Sequence, residues 1–478
     1  MPFFNGINLR EWVAVGEKSR SLAPPIENKL IEVPGRHGSY NFGHELGVRQ
    51  ISIPVNLLGD TREEMMEKAK DFAGVLITNE AKSLWFPDEP DVFYYAKLSG
   101  QTDMEEFVRS GKTTLIFICS DPFRYDMEET TEQFDDDQLT IMYNGTAEAK
   151  PIFKATIKEP STHLSITNQE GKSISLGFPV SMEQEAVVRK ELVFHDTMTS
   201  TSSWQTADRV DNGYVAGTMA ADYHGFYPES FGDPIQPHKW QGPSLKKAIG
   251  TPLQDFEIDI NIENMNVGFE TGMVEIYLLD ANNNTVGKIG LEDIWRGTEQ
   301  MMAKSQLGGM NGFWAFQEFP SVGNEKGWNN FNGLLRIARI GRRWTMYVTK
   351  YSPTGIHRVR RWFGYTDFDE RYTVPITQIQ VATRSWPNRL PTQMKVKEIK
   401  GYRINEPQSE LEVPYILLPG DQIEINTETS GLLLNGEPMI DLYDLSTEFF
   451  SLTQGLNQLE LDPKGISDAK AKYRRRWY

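Results

Sequence analysis

The segment Arg49 to Leu57, "RQISIPVNL", alternates polar and apolar residues, which is the period of a strand with one buried face. Just beyond it, in "GDTREEMMEKAKDFAGVL", the period changes. Met65, Ala69, Phe72, Ala73 and Leu76 recur at helical spacing and predict one amphipathic helix. Asp60 and Glu63 have the N-cap to N3 spacing of a capping box, and Glu64 to Lys68 is a favourable i,i+4 pair. The surrounding runs "SLWFP", "VFYYAKLSG" and "KTTLIFICSDPF" read as strands, so residues 1–140 are expected to form a β domain with one helix. The acidic run "DPFRYDMEETTEQFDDD" reads as an exposed connector.

Two later stretches share another pattern. Short strands separated by turns fill 141–190 ("PIFKATI", "HLSITNQ", "KSISLGF") and recur in 405–478 ("YILLPGDQIEINTETSGLLLNGEPMID", "EFFSLTQGLNQLELDP"). Neither piece has enough strands to close a β-sandwich alone. Together they have the strand count of one, which makes 191–404 an insertion into it. The insertion again reads as β, with "DFEIDINIE", "MVEIYLLDA", "GLLRIARI", "RWTMYVTKY" and "ITQIQVAT" as strands and "DANNNTVG" as a hairpin turn. The fold class expected is mainly β: one helix-bearing domain, one split sandwich and one inserted sandwich.

Composition narrows the function classes. With 478 residues, 39% of them hydrophobic and 24% charged, the chain suits several globular domains. No apolar run approaches the ~18 residues of a membrane span, and the N-terminus lacks the order of a signal peptide. A net charge of −17 argues against general nucleic-acid binding, which depends on neutralising phosphates. Cys119 is the only cysteine and lies in an apolar run, so it reads as a buried small hydrophobe.

The layout resembles the distal tail protein family of long-tailed phages (siphophages) of Gram-positive bacteria. The N-terminal "VPGRHGS…G…RQISIPVNL" before a helix carries part of the likeness. The C-terminal "PGDQIEINTETSGLLLNG…DLYDLSTEFFSLTQGLNQLEL" carries the more specific part. The resemblance covers roughly 1–190 and 405–478. It implies a tail-tube-like N-terminal domain in a homohexameric ring, a galectin-like split sandwich, and a hub between the tail tube protein and the tail-tip protein. It also implies a structural virion protein of the tail tip, made in the bacterial host cytoplasm, and not an enzyme. Some family versions carry an inserted carbohydrate-binding module, and the Trp-rich insertion looks like one, a lectin- or concanavalin-like sandwich. Lectin-like sandwiches often hold calcium, but no ligand set stands out here; no other cofactor is implied.

Candidate chemistry follows from residue types. The Gly-rich "GRHGSYNFGHELG" lacks the Lys of a phosphate loop and precedes a strand, so its glycines read as a turn or an assembly arm. Eight of the eleven tryptophans lie in the insertion. Trp240, Trp314 and Trp328 fall in Gly/Asn/Gln-rich segments suited to holding a ring against a sugar, with Tyr223 and Tyr227 as a further cluster. Trp344 and Trp362 fall in strand-like runs and are expected in the core. The set predicts binding to a host cell-wall saccharide. Arg-rich "RIARIGRRW" and "HRVRRW" suit either a solvated strand face or anionic glycans. "FEIDINIE" puts Glu257, Asp259, Asn261 and Glu263 on one strand face, near the E-x-D-x-E pattern of retaining glucanases. Asn261 stands where the acid/base would be and cannot exchange a proton in that role. A polysaccharide hydrolase and a purely structural spacer remain the alternatives.

Overall fold

The computed structural model describes residues 2–35, 37–100, 111–319 and 327–478. Three hydrophobic cores organise them. The first lies within 4–119, where Arg49–Leu57 is an interior strand of a ten-stranded antiparallel sheet and turns Ile51, Ile53, Val55 and Leu57 inward. Lys112–Cys119 pairs along its whole length, and Cys119 is buried, its thiol pushed up to about 12 by desolvation. The helix is Arg62–Leu76 and packs Ala69, Phe72 and Leu76 on this sheet. Its cap sits one residue later than the sequence pattern suggested. Thr61 Oγ1 accepts from the Glu64 amide, and the Glu64 carboxylate accepts from the Asp60 amide.

The Gly-rich stretch begins in the turn that follows Ile26–Glu32 and continues as the strand Ser39–Leu46, and these two strands form a separate two-stranded ribbon. Gly35 and Gly38 take the positive φ that this turn needs, at 85° and 81°.

The second core joins the two halves of the split sandwich. Ile152–Ile157 pairs with Gln422–Asn426 in a six-stranded sheet, and His163–Asn168 pairs with Gly455–Asp462 in a four-stranded one. Phe153, Ile166, Ile425 and Leu459 fill the space between. The acidic run expected as a connector contributes the strand Thr130–Gln133 to this sandwich, because it pairs with Ser467–Tyr473.

The third and largest core belongs to the insertion, an eight-stranded sheet packed on a seven-stranded one. The chain leaves and returns side by side: Glu185–Val187 pairs in parallel with Glu412–Pro414, and Lys190 lies opposite Ile404. Adjacent ends let a sandwich be inserted without separating the halves of its host.

Candidate functional site

Each sheet of the insertion turns one face to the core and the other outward. Phe256–Met265 buries Ile258, Ile260 and Ile262, which turns Glu257, Asp259, Asn261 and Glu263 outward. This acidic row is occupied. Arg336 Nε donates to Asp259 Oδ1 at 2.6 Å and lies 3.2 Å from Glu257, while its Nη1 reaches Glu437 Oε2 at 3.1 Å. Burial opposes the charge on Asp259, but Arg336 and Lys190 beside it hold its carboxyl below the ordinary range. Asn261 is fixed too, accepting from Tyr351 Oη at 2.6 Å and donating to Glu398 at 2.9 Å. This arrangement has no free acid/base pair.

Glu437 comes from the split sandwich, so the row is a joint between the two domains. Its hairpin tip fits closely: the His357 amide donates to the Gly436 carbonyl at 3.0 Å. A Cβ on Gly436 would lie 2.4 Å from the Gly355 carbonyl oxygen, and its φ is +82°. Both facts require glycine there. Burial pushes the Glu437 carboxyl up despite Arg336, and burial together with Arg336 pushes the His357 imidazole down to about 4.

The outer face of the seven-stranded sheet is different. Glu275, Lys288, Glu292, Lys304 and Arg384 are all buried on it. Lys304 Nζ is 3.1 Å from Glu275, and Lys288 Nζ is 2.9 Å from Asp211. Arg384 pairs with Glu275 and donates to the Asp211 carbonyl at 2.7 Å. Burial works against the Glu275 charge, yet Arg384, Lys304 and Lys288 together keep its carboxyl well below the usual range. The segment carrying Asp211 covers one side of this face. At the other side Trp314, 42% exposed, stands over the ammonium groups of Lys288 and Lys304 at 5.7 and 5.9 Å from its ring. Phe313 and Phe316 hold that edge strand by stacking on Tyr365 and Phe363, at 4.4 and 3.9 Å. The result is a rigidly presented ring beside polar groups, a surface suited to the C–H face of a sugar.

The other sequence-predicted rings fare unequally. Trp240 (9% exposed) packs edge-on against Trp386, and Trp328 (1% exposed) packs on Phe331 inside the core. Neither can stack on a ligand, which corrects the expectation for both. Tyr223 is exposed at the turn beside His224, and Tyr227 is half-buried with Lys395 Nζ 5.7 Å from its ring. These two tyrosines lie at the edge of the eight-stranded sheet far from Trp314, so the predicted residues do not form one cluster. Trp344 is buried as expected, but Trp362 is exposed, as is Trp295. The missed signal at Trp362 was parity, since it shares its strand phase with Arg358 and Arg360. Among the described residues no three His, Cys, Asp or Glu side chains are grouped to hold a metal.

Comparison with known proteins accounts for both ends of the chain. Residues 14–119 match the family described as phage tail protein RIFT-related domain, and 385–477 match the siphovirus-type tail component, C-terminal domain. The distal tail protein of Bacillus phage SPP1 is 22% identical over 172 residues, covering 36% of this chain and 68% of that protein. Among solved structures, the chain is similar to the CBM2 module of the evolved Dit of Lactobacillus casei BL23 phage J-1. That likeness has 15% identity and a TM-score of 0.40, over 47% of this chain and 100% of the module. It is also similar to the SPP1 Dit structure, with 20% identity and a TM-score of 0.33, over 37% of this chain and 74% of that one.

Proposed function

We propose that this chain, whose two ends carry the siphovirus tail domains of a distal tail protein, forms the hexameric hub of a phage tail tip and binds host cell-surface saccharide through its insertion. Three units divide the work: 1–140 assembles, 141–190 with 405–478 links, and 191–404 adheres. The ribbon Ile26–Glu32 and Ser39–Leu46 supports the assembly role. It exposes Ile26, Leu30, Ile31, Tyr40 and Phe42, and two strands alone bury too little to stand free in water. A neighbouring copy that covers this ribbon, repeated around an axis, closes a ring that joins tail tube protein to tail-tip protein.

The observation that carries adhesion is Trp314, presented on a stacked edge strand over Lys288 and Lys304. Weak single sites gain strength when several copies engage one surface. A non-enzymatic role is supported by the neutralised Asp259 and the fixed Asn261. Because Lys190 and Ile404 are paired, the insertion can be replaced by a short link. The test compares that shortened chain with the full one. Native mass measurement is expected to give six copies for both, and binding to purified bacterial cell walls only for the full chain. Equal binding by the two would reject adhesion by the insertion, and monomers of the full chain would reject the ring.

A further inference from the structure

The edge strand His357–Thr366 of the eight-stranded sheet turns Val359, Phe363 and Tyr365 to the core and Arg360, Trp362 and Gly364 outward. Outward charge on an edge strand is ordinary, since it keeps the free edge from pairing with another chain. An outward tryptophan does the opposite, adding apolar area where charge protects. Trp362 is 56% exposed and yet held in place, its ring stacked on buried Tyr347 of the next strand at 4.2 Å and 29°. The register sets Thr345 opposite Gly364 and Arg343 opposite Thr366. One side of the ring is therefore floored by small residues, and Arg343 Nη2 lies 3.9 Å from where a Cβ on Gly364 would be. On the other side stands Arg360, two residues along the strand, about 7 Å away. Among the described residues neither Arg343 nor Arg360 has a carboxylate within salt-bridge distance, whereas their neighbours Arg342 and Arg361 pair with Glu370 and Glu318. In a chain of net charge −17, these two guanidinium groups flank an exposed ring.

We infer that Trp362, Arg343 and Arg360 form a second saccharide contact, on the sheet opposite Trp314, for an acidic polysaccharide. One sugar ring stacks on Trp362, and oxyanions on either side of it meet the two guanidinium forks, whose planar donors match carboxylate or phosphate. The inference rests on the saccharide-binding reading of the insertion but not on Trp314. An exposed site of this kind is sensitive to salt.

The experiment titrates the full-length protein with oligogalacturonate, with a poly(glycerol phosphate) teichoic acid, and with neutral dextran, at low and high salt. Binding to at least one polyanion is expected, weakened by salt and tighter than that to dextran. Trp362→Ala, and separately the double change Arg343→Gln with Arg360→Gln, should each weaken it about tenfold. Trp295→Ala, a change at an exposed ring elsewhere on the insertion, should leave it unchanged, and Trp362→Phe, which keeps a ring on Tyr347, should retain most of it. Binding of the uronate alone assigns a carboxylate ligand, and of the teichoic acid alone a phosphodiester. Absence of binding to both polyanions overturns the inference. So does binding that survives either the Trp362→Ala or the double arginine change, or that is lost in Trp295→Ala. Loss of neutral-saccharide binding by the Trp314 face would leave these arms unaffected, so the two readings fail separately.

Discussion

The ribbon at 26–46 and the inserted sandwich both expose aromatic rings, but on opposite kinds of support. Tyr40 and Phe42 sit 6.4 Å apart on one strand of a two-stranded ribbon that, among the described residues, belongs to none of the three cores. Trp314 and Trp362 sit on edge strands backed by the largest core of the molecule. A ring on unsupported backbone gains order only when a partner of comparable size covers it, which points to another protein copy. A ring on rigid backbone among charges is already ordered and offers a contact of one sugar's size, at little entropic cost. The same residue type thus means assembly in one place and ligand in the other.

The largest expected effect breaks the first half of this comparison. Replacing 26–46 by a short Gly/Ser link should convert the ring wholly to monomers, read by native mass spectrometry. A surviving hexamer would move the assembly contact elsewhere. Next, Trp328→Ala removes a fully buried ring and should cost the insertion about 3–5 kcal/mol in denaturant unfolding. Trp314→Ala should change stability by less than about 1 kcal/mol. Equal costs at the two sites would contradict the division into core and surface rings.

The domain joint gives the third prediction. Arg336→Ala leaves Asp259 and Glu437 buried without their cation and should destabilise the joint by about 3 kcal/mol. Faster amide exchange at Gly436 and His357 would report it, and unchanged exchange would mean the hairpin is held otherwise. The smallest effect is acid sensitivity at the same joint. His357 is neutral in the folded chain down to about pH 4, whereas an unperturbed histidine takes up its proton near 6.5. Between those values the unfolded chain binds the extra proton, so stability is full above pH 6.5 and falls as pH drops towards 4. Glu437, pushed up by burial, acts with the opposite sign, so the readout is a difference. Over that window the parent should lose stability relative to His357→Gln by an amount of order 1–3 kcal/mol, read from the difference between their melting curves. Parallel curves would contradict the assignment.

Much of this was legible in the chain. Alternation in "RQISIPVNL" and helical spacing after it located the N-terminal sheet and its helix, because both periods are local. The absence of a Walker lysine and the strand that follows marked the Gly-rich stretch as a turn or arm; Gly35 and Gly38 lie in the turn and the remainder forms a ribbon strand. Which tryptophans are buried was less legible, because that depends on how loops close over a core end. Trp328 in "GWNNFNG" looks like a surface loop, yet Asn266 bonds the Asn330 amide at 2.8 Å and pins the loop inward. The joint was invisible for a related reason. Glu437 lies a hundred residues from Arg336, and nothing local marks the "LNGE" turn as a plug for another domain.

The central claim is that the insertion meets a saccharide through the Trp314 face. Its most direct test measures the full-length protein and its Trp314→Ala variant on an array of bacterial surface saccharides, with melting temperature as the control. Binding to neutral saccharides should fall about tenfold or more in a variant of unchanged stability. No bound neutral saccharide, or neutral-saccharide binding undiminished by Trp314→Ala, would contradict it.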